Sequence, residues 1–412
     1  MRLIQIMVML FSGLVLGGCF AGGTMPIADQ ALNAPEQLGD GGVSDFYSYK
    51  PSLSAIPGVL LRQEPLATHQ SIPGAAENIR LLYSSTDGLD GKTAIAVSGG
   101  LFLPVGTPPK AGWPLLLWSH GTVGIADVCA PSWTGYVPFH QEHLQQWLQN
   151  GYAIVASDYQ GLGTEGTHPY LATRPAAYSN LDVIRAAQSA GFPLSRDVVI
   201  LGQSQGAGAA LATAGHASSY APDISIRGVV TTGIPFFTPA ALVAVQQARP
   251  RDKVDPMLGY NFLVLTLLEQ LDPGFDVSDY VYEPALPIVR AVQTVCNRDM
   301  RKKIQRVGLT YNGTFKRPPP LEQGYEKMQY PTLRLAVPLF VGTGSIDRDT
   351  PPRMQARLVQ AACKAGSSVS AHLYNDYDHL TALNRSLADS IPFVAAAFGG
   401  AGTGGNCDNL PY

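Results

Sequence analysis

The chain has 412 residues, 46% of them hydrophobic and 14% charged, and 28 lysines and arginines against 31 aspartates and glutamates leave a formal net charge of −3. Such a chain can bury a large core, either as one domain with insertions or as two domains. It has no basic surplus with which to neutralise a phosphate backbone, so nucleic acid is excluded and small molecules or lipids are the expected partners.

Residues 1–18, MRLIQIMVMLFSGLVLGG, carry one arginine, an apolar run too short for a comfortable membrane span, and small residues at the end. This is the form of a signal peptide, and it predicts export. Leu16, Gly17, Gly18 and Cys19 also have the form of a bacterial lipobox, and lipid attachment at Cys19 would anchor the exported chain at the cell envelope. Ordinary cleavage a few residues later, giving a soluble secreted protein, is the alternative. Residues 19–75 are rich in Gly, Pro, Ala and Ser without sustained periodicity, and read as an irregular N-terminal extension that wraps the core.

Residues 76–235 carry the short apolar runs AIAVSGGLFLP, PLLLWSHG, AIVASDYQG, DVVILGQSQG and GVVTTGIP. Several are β-branched and unalternating, as strands buried on both faces of a parallel sheet must be. HQEHLQQWLQNG and AAYSNLDVIRAAQSAG, which lie between them, have helical length, helical spacing and a terminal glycine. Strand and helix therefore alternate, which predicts an α/β domain with helices on both faces of a mostly parallel sheet. The alternation breaks over residues 236–330, a segment too long for a simple connection and read as a helical cap or lid. Within it, YNFLVLTLLEQL carries Phe262, Leu263, Leu265, Leu267 and Leu268, more apolar surface than one helix face needs. That surface either lies buried under the cap, or part of it lines an acyl tunnel or meets a lipid interface when the cap moves. Residues 331–412 resume the core with PLFVGTGSID and SVSAHLYND.

Besides Cys19 the cysteines are Cys129, Cys296, Cys363 and Cys407, an even number in a chain expected to reach an oxidising compartment. Two disulfides are predicted, with three pairings open on count alone. No CxxC pair or histidine cluster accompanies them, so no zinc site is expected.

Gly202, Gln203, Ser204, Gln205 and Gly206 form G-x-S-x-G between a buried strand and an Ala/Gly-rich helix start. A sharp strand-to-helix turn needs small residues on both sides and lifts the serine hydroxyl above the sheet at the positive end of the helix. A serine hydroxyl needs a base, and in this architecture the acid and then the histidine follow the nucleophile in the chain. His379 lies on a loop past the last strand and is the candidate base, whereas His372 lies inside that strand and reads as a sheet residue. Asp347, at the end of PLFVGTGSID and opening D-x-x-T-P, is the candidate acid. Asp349 reads as a cap or a solvated turn residue, and Asp376 and Asp378 as loop residues. For the developing oxyanion the amide of Gln205 is one candidate donor and that of Thr122, after Gly121 in LLLWSHGTVG, the other. His120 reads as a structural histidine of that loop.

Together these residues resemble the secretory lipase family, whose fungal members are the lipase A type and which has bacterial relatives, within the α/β-hydrolase superfamily. The resemblance covers most of the chain from about residue 75. It rests on GQSQG, SHGTVGIADVCAPS, SDYQGLGTEGTHPYL, the D-x-x-T-P at Asp347 and the 32 residues from Asp347 to His379. It implies an α/β-hydrolase fold, a helical cap inserted before the acid-bearing strand, a Ser204, Asp347, His379 triad, and pairing of Cys129 with Cys296 and Cys363 with Cys407. The activity it implies is ester hydrolysis, foremost by a triacylglycerol lipase, with a short- or medium-chain carboxylesterase as the alternative. Such chemistry requires neither metal nor organic cofactor. A serine peptidase of the same fold would need a charged pocket for a peptide terminus, which the sequence does not reveal. A non-catalytic binding protein is disfavoured because every triad position is filled. Gln203 and Gln205 flank the serine where members of the family differ, and the His-Gly loop is closer to bacterial than to fungal members.

Overall fold

The computed structural model describes residues 42–53 and 55–412, the side chains of residues 243–246 and 248 excepted. The expected signal peptide and Cys19 lie outside the described residues. Among the described residues nine strands form one sheet: β1 (Leu60–Pro65), β2 (Ala75–Thr86), β3 (Ala94–Pro104), β4 (Trp113–Ser119), β5 (Ala153–Ser157), β6 (Leu194–Gln203), β7 (Ser225–Thr232), β8 (Leu339–Gly344) and β9 (Val369–Tyr374). The longer helices are α1 (Pro138–Gln149), α2 (Thr173–Ser189), α3 (Gln205–Tyr220), α4 (Pro239–Ala248), α5 (Leu258–Leu271), α6 (Asn297–Val307), α7 (Leu321–Lys327), α8 (Pro352–Lys364) and α9 (Leu387–Gly399).

Across the sheet the order is β1-β2-β3-β5-β4-β6-β7-β8-β9. Neighbours from β5 to β9 are parallel, and β1, β2 and β3 join antiparallel at one edge. Strands β3 to β9 fall on the apolar runs, and the packing explains why those runs do not alternate. In β4, Leu115 and Leu117 enter the core on one face while Leu116 and Trp118 enter it on the other; β6 divides Val198 and Ile200 from Val199 and Leu201 in the same way. Side chains still point alternately up and down, but both faces are covered. Helices α2, α3 and α8 supply one covering layer, with Leu181, Leu211 and Leu358. Helices α1 and α9 supply the other, with Trp147 and Phe393.

The N-terminal extension is less irregular than expected. Residues 60–65, LLRQEP, form the edge strand β1, and β2 begins at Ala75, ahead of the first run singled out in the sequence. The edge strand is only half-buried and ends in proline, so its apolar signal is weak. The residues before β1 dock through Tyr47, whose buried hydroxyl lies 2.8 Å from Ser132 Oγ, and through Arg62, which donates to the carbonyls of Asp45, Phe46 and Ser48.

Between β7 and β8 the chain builds a helical layer from α4, α5, α6 and α7 with its own apolar core. Phe262, Leu263, Leu265, Leu267 and Leu268 all lie within that core, each 2% exposed or less, so α5 is buried all round rather than lining a tunnel. Two disulfides are present among the described residues. Cys129–Cys296 ties the segment after β4 to the start of α6, and Cys363–Cys407 ties α8 to the C-terminal segment. The chain leaves β4 towards β5 on one side and returns through α2 to β6 on the other, which makes the β4/β6 carboxyl edge the point where strand order reverses. In open α/β sheets ligands bind at this edge.

Candidate active site

Ser204 follows β6 at that edge with φ 59° and ψ −123°, a left-handed conformation that costs a non-glycine residue about 1–3 kcal/mol. The flanking glycines make the turn possible. A Cβ on Gly202 would stand 2.1 Å from the Gly206 carbonyl oxygen, and one on Gly206 would stand 1.8 Å from that of Ser119. Helix α3 therefore starts against β4, with Ser204 held at its positive end. The Ser204 amide donates to the Thr232 carbonyl at 3.0 Å, pinning the turn to β7.

The loops after β8 and β9 bring Asp347 and His379 to the serine. His379 Nε2 lies 2.8 Å from Ser204 Oγ and its Nδ1 lies 2.8 Å from Asp347 Oδ2. Asp347 is fixed by donors on both oxygens: the amides of Asp349 and Thr350 reach Oδ1, while Thr350 Oγ1 and Gln355 Nε2 reach Oδ2. These acceptances set the carboxylate and leave the histidine Nδ1 as the donor between them, which directs its Nε2 lone pair at the serine. Burial of His379 opposes its charged form, but the hydrogen bond and charge of Asp347 overcome that, and its pKa is raised above the ordinary 6.5. The histidine also needs Gly233. A Cβ there would stand 2.7 Å from His379 Cε1, and Gly233 has φ +61°.

The Gln205 amide, first in α3, has no acceptor within the helix and sits next to Ser204. The loop after β4 approaches from the other side. A Cβ on Gly121 would lie 3.5 Å from Ser204 Cβ, so the Gly121–Thr122 peptide runs alongside Ser204, and Thr122 Oγ1 is tethered 3.0 Å from Tyr170 Oη. His120 is fully buried, stacked on Tyr159, with Nδ1 2.8 Å from the Gly121 carbonyl oxygen, so it shapes this loop from behind. The loop after β5 carries Asp158, which accepts from Ser98 Oγ and from the amide and hydroxyl of Ser132. Burial pushes its carboxyl up, and the serine donors oppose the shift.

Of the other candidates, His372 stays in β9, stacked on Phe340 with Nε2 3.1 Å from Ser370 Oγ. Asp378 accepts from Leu380 and Thr381 in its own turn, and the Asp376 amide donates to Ser345 Oγ. Asp349 is not a solvated turn residue. It accepts from Tyr260 Oη of α5 at 2.8 Å and from Arg301 of α6 at 3.3 Å, and so ties the helical layer to the Asp347 loop. Sequence reasoning also missed Gln203, whose buried side chain donates to the His379 carbonyl at 3.1 Å and lies against Gly121. No local pattern encodes that contact, which spans 176 residues.

A narrow cleft runs along the first turns of α3, lined by Gln205, Gly208, Ala209, Leu171, Phe237 and Met328 among others.

The sheet order, the turn carrying Ser204 and the histidine loop past the last strand define the α/β-hydrolase fold. A model of the secretory lipase family matches residues 131–249, a stretch that includes Ser204 and Gln205 but stops short of Asp347 and His379. Lipase A of Moesziomyces aphidis is 22% identical over 389 residues, 86% of this chain and 79% of that protein. Among solved structures, Candida antarctica lipase A superposes with a TM-score of 0.71 at 20% identity, covering 89% of this chain and 88% of that one. The rice cell wall degrading esterase LipA of Xanthomonas oryzae superposes with a TM-score of 0.65 at 19% identity, covering 84% and 98%. The resemblance to secretory lipases drawn from the motifs therefore holds, and the chain's relatives are lipases and esterases.

Proposed function

We propose that the chain is a carboxylic ester hydrolase working through Ser204, His379 and Asp347. The observation that carries this reading is the unbroken hydrogen-bond line from Ser204 Oγ through the two His379 nitrogens to Asp347. Ser204 Oγ attacks the ester carbonyl while His379 Nε2 takes its proton, and Asp347 stabilises the imidazolium. The tetrahedral oxyanion is held by the amides of Gln205 and Thr122. His379 returns the proton to the departing alcohol, then activates a water that releases the acid from Ser204.

The finer reading is a triacylglycerol lipase, with residues 236–330 acting as a cap over the acyl chain. It is supported by the lipase A relatives and by the apolar lining of the cleft. One observation favours a short-chain carboxylesterase instead: the cleft is narrow, with room for little more than one water molecule. Turnover of p-nitrophenyl esters and triglycerides of graded chain length tests both. Rates that rise from butyrate to octanoate and persist on emulsified triglyceride support the lipase, and a maximum at acetate or butyrate with no triglyceride turnover supports the esterase.

The same reading places the protein outside the cytoplasm, in keeping with a secretory family, and holds it at the envelope through lipid on Cys19. Sequencing the mature N-terminus tests this. A lipidated Cys19 as first residue supports it, and a soluble protein starting several residues later contradicts it.

A further inference from the structure

The proposed acid, Asp347, is supported from behind by a line of side chains that takes no part in the proton transfers. Gln355, fully buried in the first turn of α8, donates from Nε2 to Asp347 Oδ2 at 3.1 Å and to the Thr350 carbonyl at 2.7 Å. Both amide protons are thereby spent on the Asp347 loop. Gln355 Oε1 turns the other way and accepts from Thr343 Oγ1 of β8 at 3.0 Å. Thr343 is fully buried as well, and the Tyr412 hydroxyl stands 2.9 Å from its oxygen. A threonine hydroxyl has one proton, and Gln355 Oε1, which can only accept, takes it here, so Tyr412 must be the donor to Thr343. Burial raises the Tyr412 phenol to about 12, which keeps that proton in place through neutral and mildly alkaline pH.

Three bonds therefore run in one direction, from Tyr412 to Thr343 to Gln355 to Asp347, and each polarises the next. They end on Oδ2, the oxygen that meets His379 Nδ1. The far end of the line is fastened independently of the active site. Cys407 is bonded to Cys363 of α8, and the Asn406 side chain makes two bonds of 2.8 Å to the Ala371 backbone of β9. We propose that Tyr412 is a positioning residue for the catalytic acid, acting through Thr343 and Gln355 to hold the Gln355 amide on Asp347 Oδ2. This rests on the ester hydrolase reading above. A tyrosine that only covered the core would serve as well without its hydroxyl.

The experiment is a double-mutant cycle on kcat and KM for p-nitrophenyl butyrate, with urea unfolding of each protein in parallel. Tyr412→Phe keeps the ring and removes only the donor; it should lower kcat about threefold and leave KM within about twofold. Gln355→Met, close in shape, removes the amide and should lower kcat about thirtyfold. Among the described residues no hydrogen bond joins Tyr412 to Gln355 directly, yet in the Gln355→Met background Tyr412→Phe should lower kcat no further. Thr343→Val, which removes the middle of the line, is the background to use if Gln355→Met does not fold, with the same expectation. Wild-type kcat in Tyr412→Phe overturns the inference, as does an effect confined to KM or a loss that recurs undiminished in either background. Absence of ester turnover in the wild type would instead remove the ester hydrolase reading itself, and this inference with it.

Discussion

Replacing Asp347 by asparagine separates the proposed acid from its neighbour Asp349. Five donors converge on the Asp347 carboxylate: two backbone amides on Oδ1, and Thr350 Oγ1, Gln355 Nε2 and His379 Nδ1 on Oδ2. An asparagine has one acceptor oxygen and brings two N–H donors. The backbone amides cannot turn away, so the oxygen is expected to stay at the Oδ1 position and the NH₂ group to face His379. The imidazole then keeps its proton on Nε2, where it cannot accept the Ser204 proton. A wrong tautomer of this kind lowers kcat by about 10⁴. Each buried donor left without an acceptor costs a further 1–3 kcal/mol of stability, on the order of the usual desolvation penalty. The assay is kcat and kcat/KM on a soluble ester across pH, with urea unfolding as the check on folding. In the wild type, activity should rise with pH as His379 loses its proton, with a midpoint above 6.5. In Asp347→Asn the residual activity should show a lower midpoint, because burial then acts on the imidazole without the carboxylate. Asp349→Asn, which touches Tyr260 and Arg301 rather than His379, should keep kcat within about tenfold. The reasoning fails if Asp347→Asn stays active while Asp349→Asn loses turnover.

Gly233→Ala would place a methyl 2.7 Å from His379 Cε1 and force alanine into φ +61°; a displacement approaching 1 Å should cost about 100-fold in kcat, and near wild-type kinetics would rule out the crowding. Removing Cys129–Cys296 as the Cys129→Ala, Cys296→Ala pair opens a loop of 167 residues and should lower unfolding stability by up to about 5 kcal/mol in the chain-entropy model. An unchanged urea midpoint would contradict that assignment. Tyr260→Phe removes the 2.8 Å bond from α5 to Asp349 and should destabilise the protein by about 1 kcal/mol, which a thermal melt indistinguishable from wild type would refute.

How far the sequence could be read depended on how local each signal was. The parallel strands announce themselves because burial on both faces makes them continuous apolar runs, and the turn at Ser204 because the close approach of Gly202 to Gly206 tolerates no side chain. Asp347 and His379 were legible from chain order, one after each of the last two strands. Strands β1 and β2 were not, since an antiparallel edge carries mixed polarity and blends into a Gly- and Pro-rich lead. Asp349 looked like a turn residue because its partners, Tyr260 and Arg301, are 89 and 48 residues away. Gln203 and Gln205 looked like a variable pair around the serine, yet one holds the His379 carbonyl and the other holds His168, contacts fixed only when three loops meet at the carboxyl edge of the sheet. The apolar excess on α5 left two readings open, and of these the buried one matches the structure, where it serves the interior of the helical layer.

The central claim is that Ser204 is the nucleophile of an ester hydrolase. Treating the purified protein with a fluorophosphonate and locating the adduct by peptide mass spectrometry tests it most directly, with ester turnover followed in parallel. The account predicts one phosphonyl group per chain, on Ser204, with activity lost in proportion to labelling and no labelling in Ser204→Ala. An adduct on another residue, or full ester turnover in folded Ser204→Ala, would contradict it.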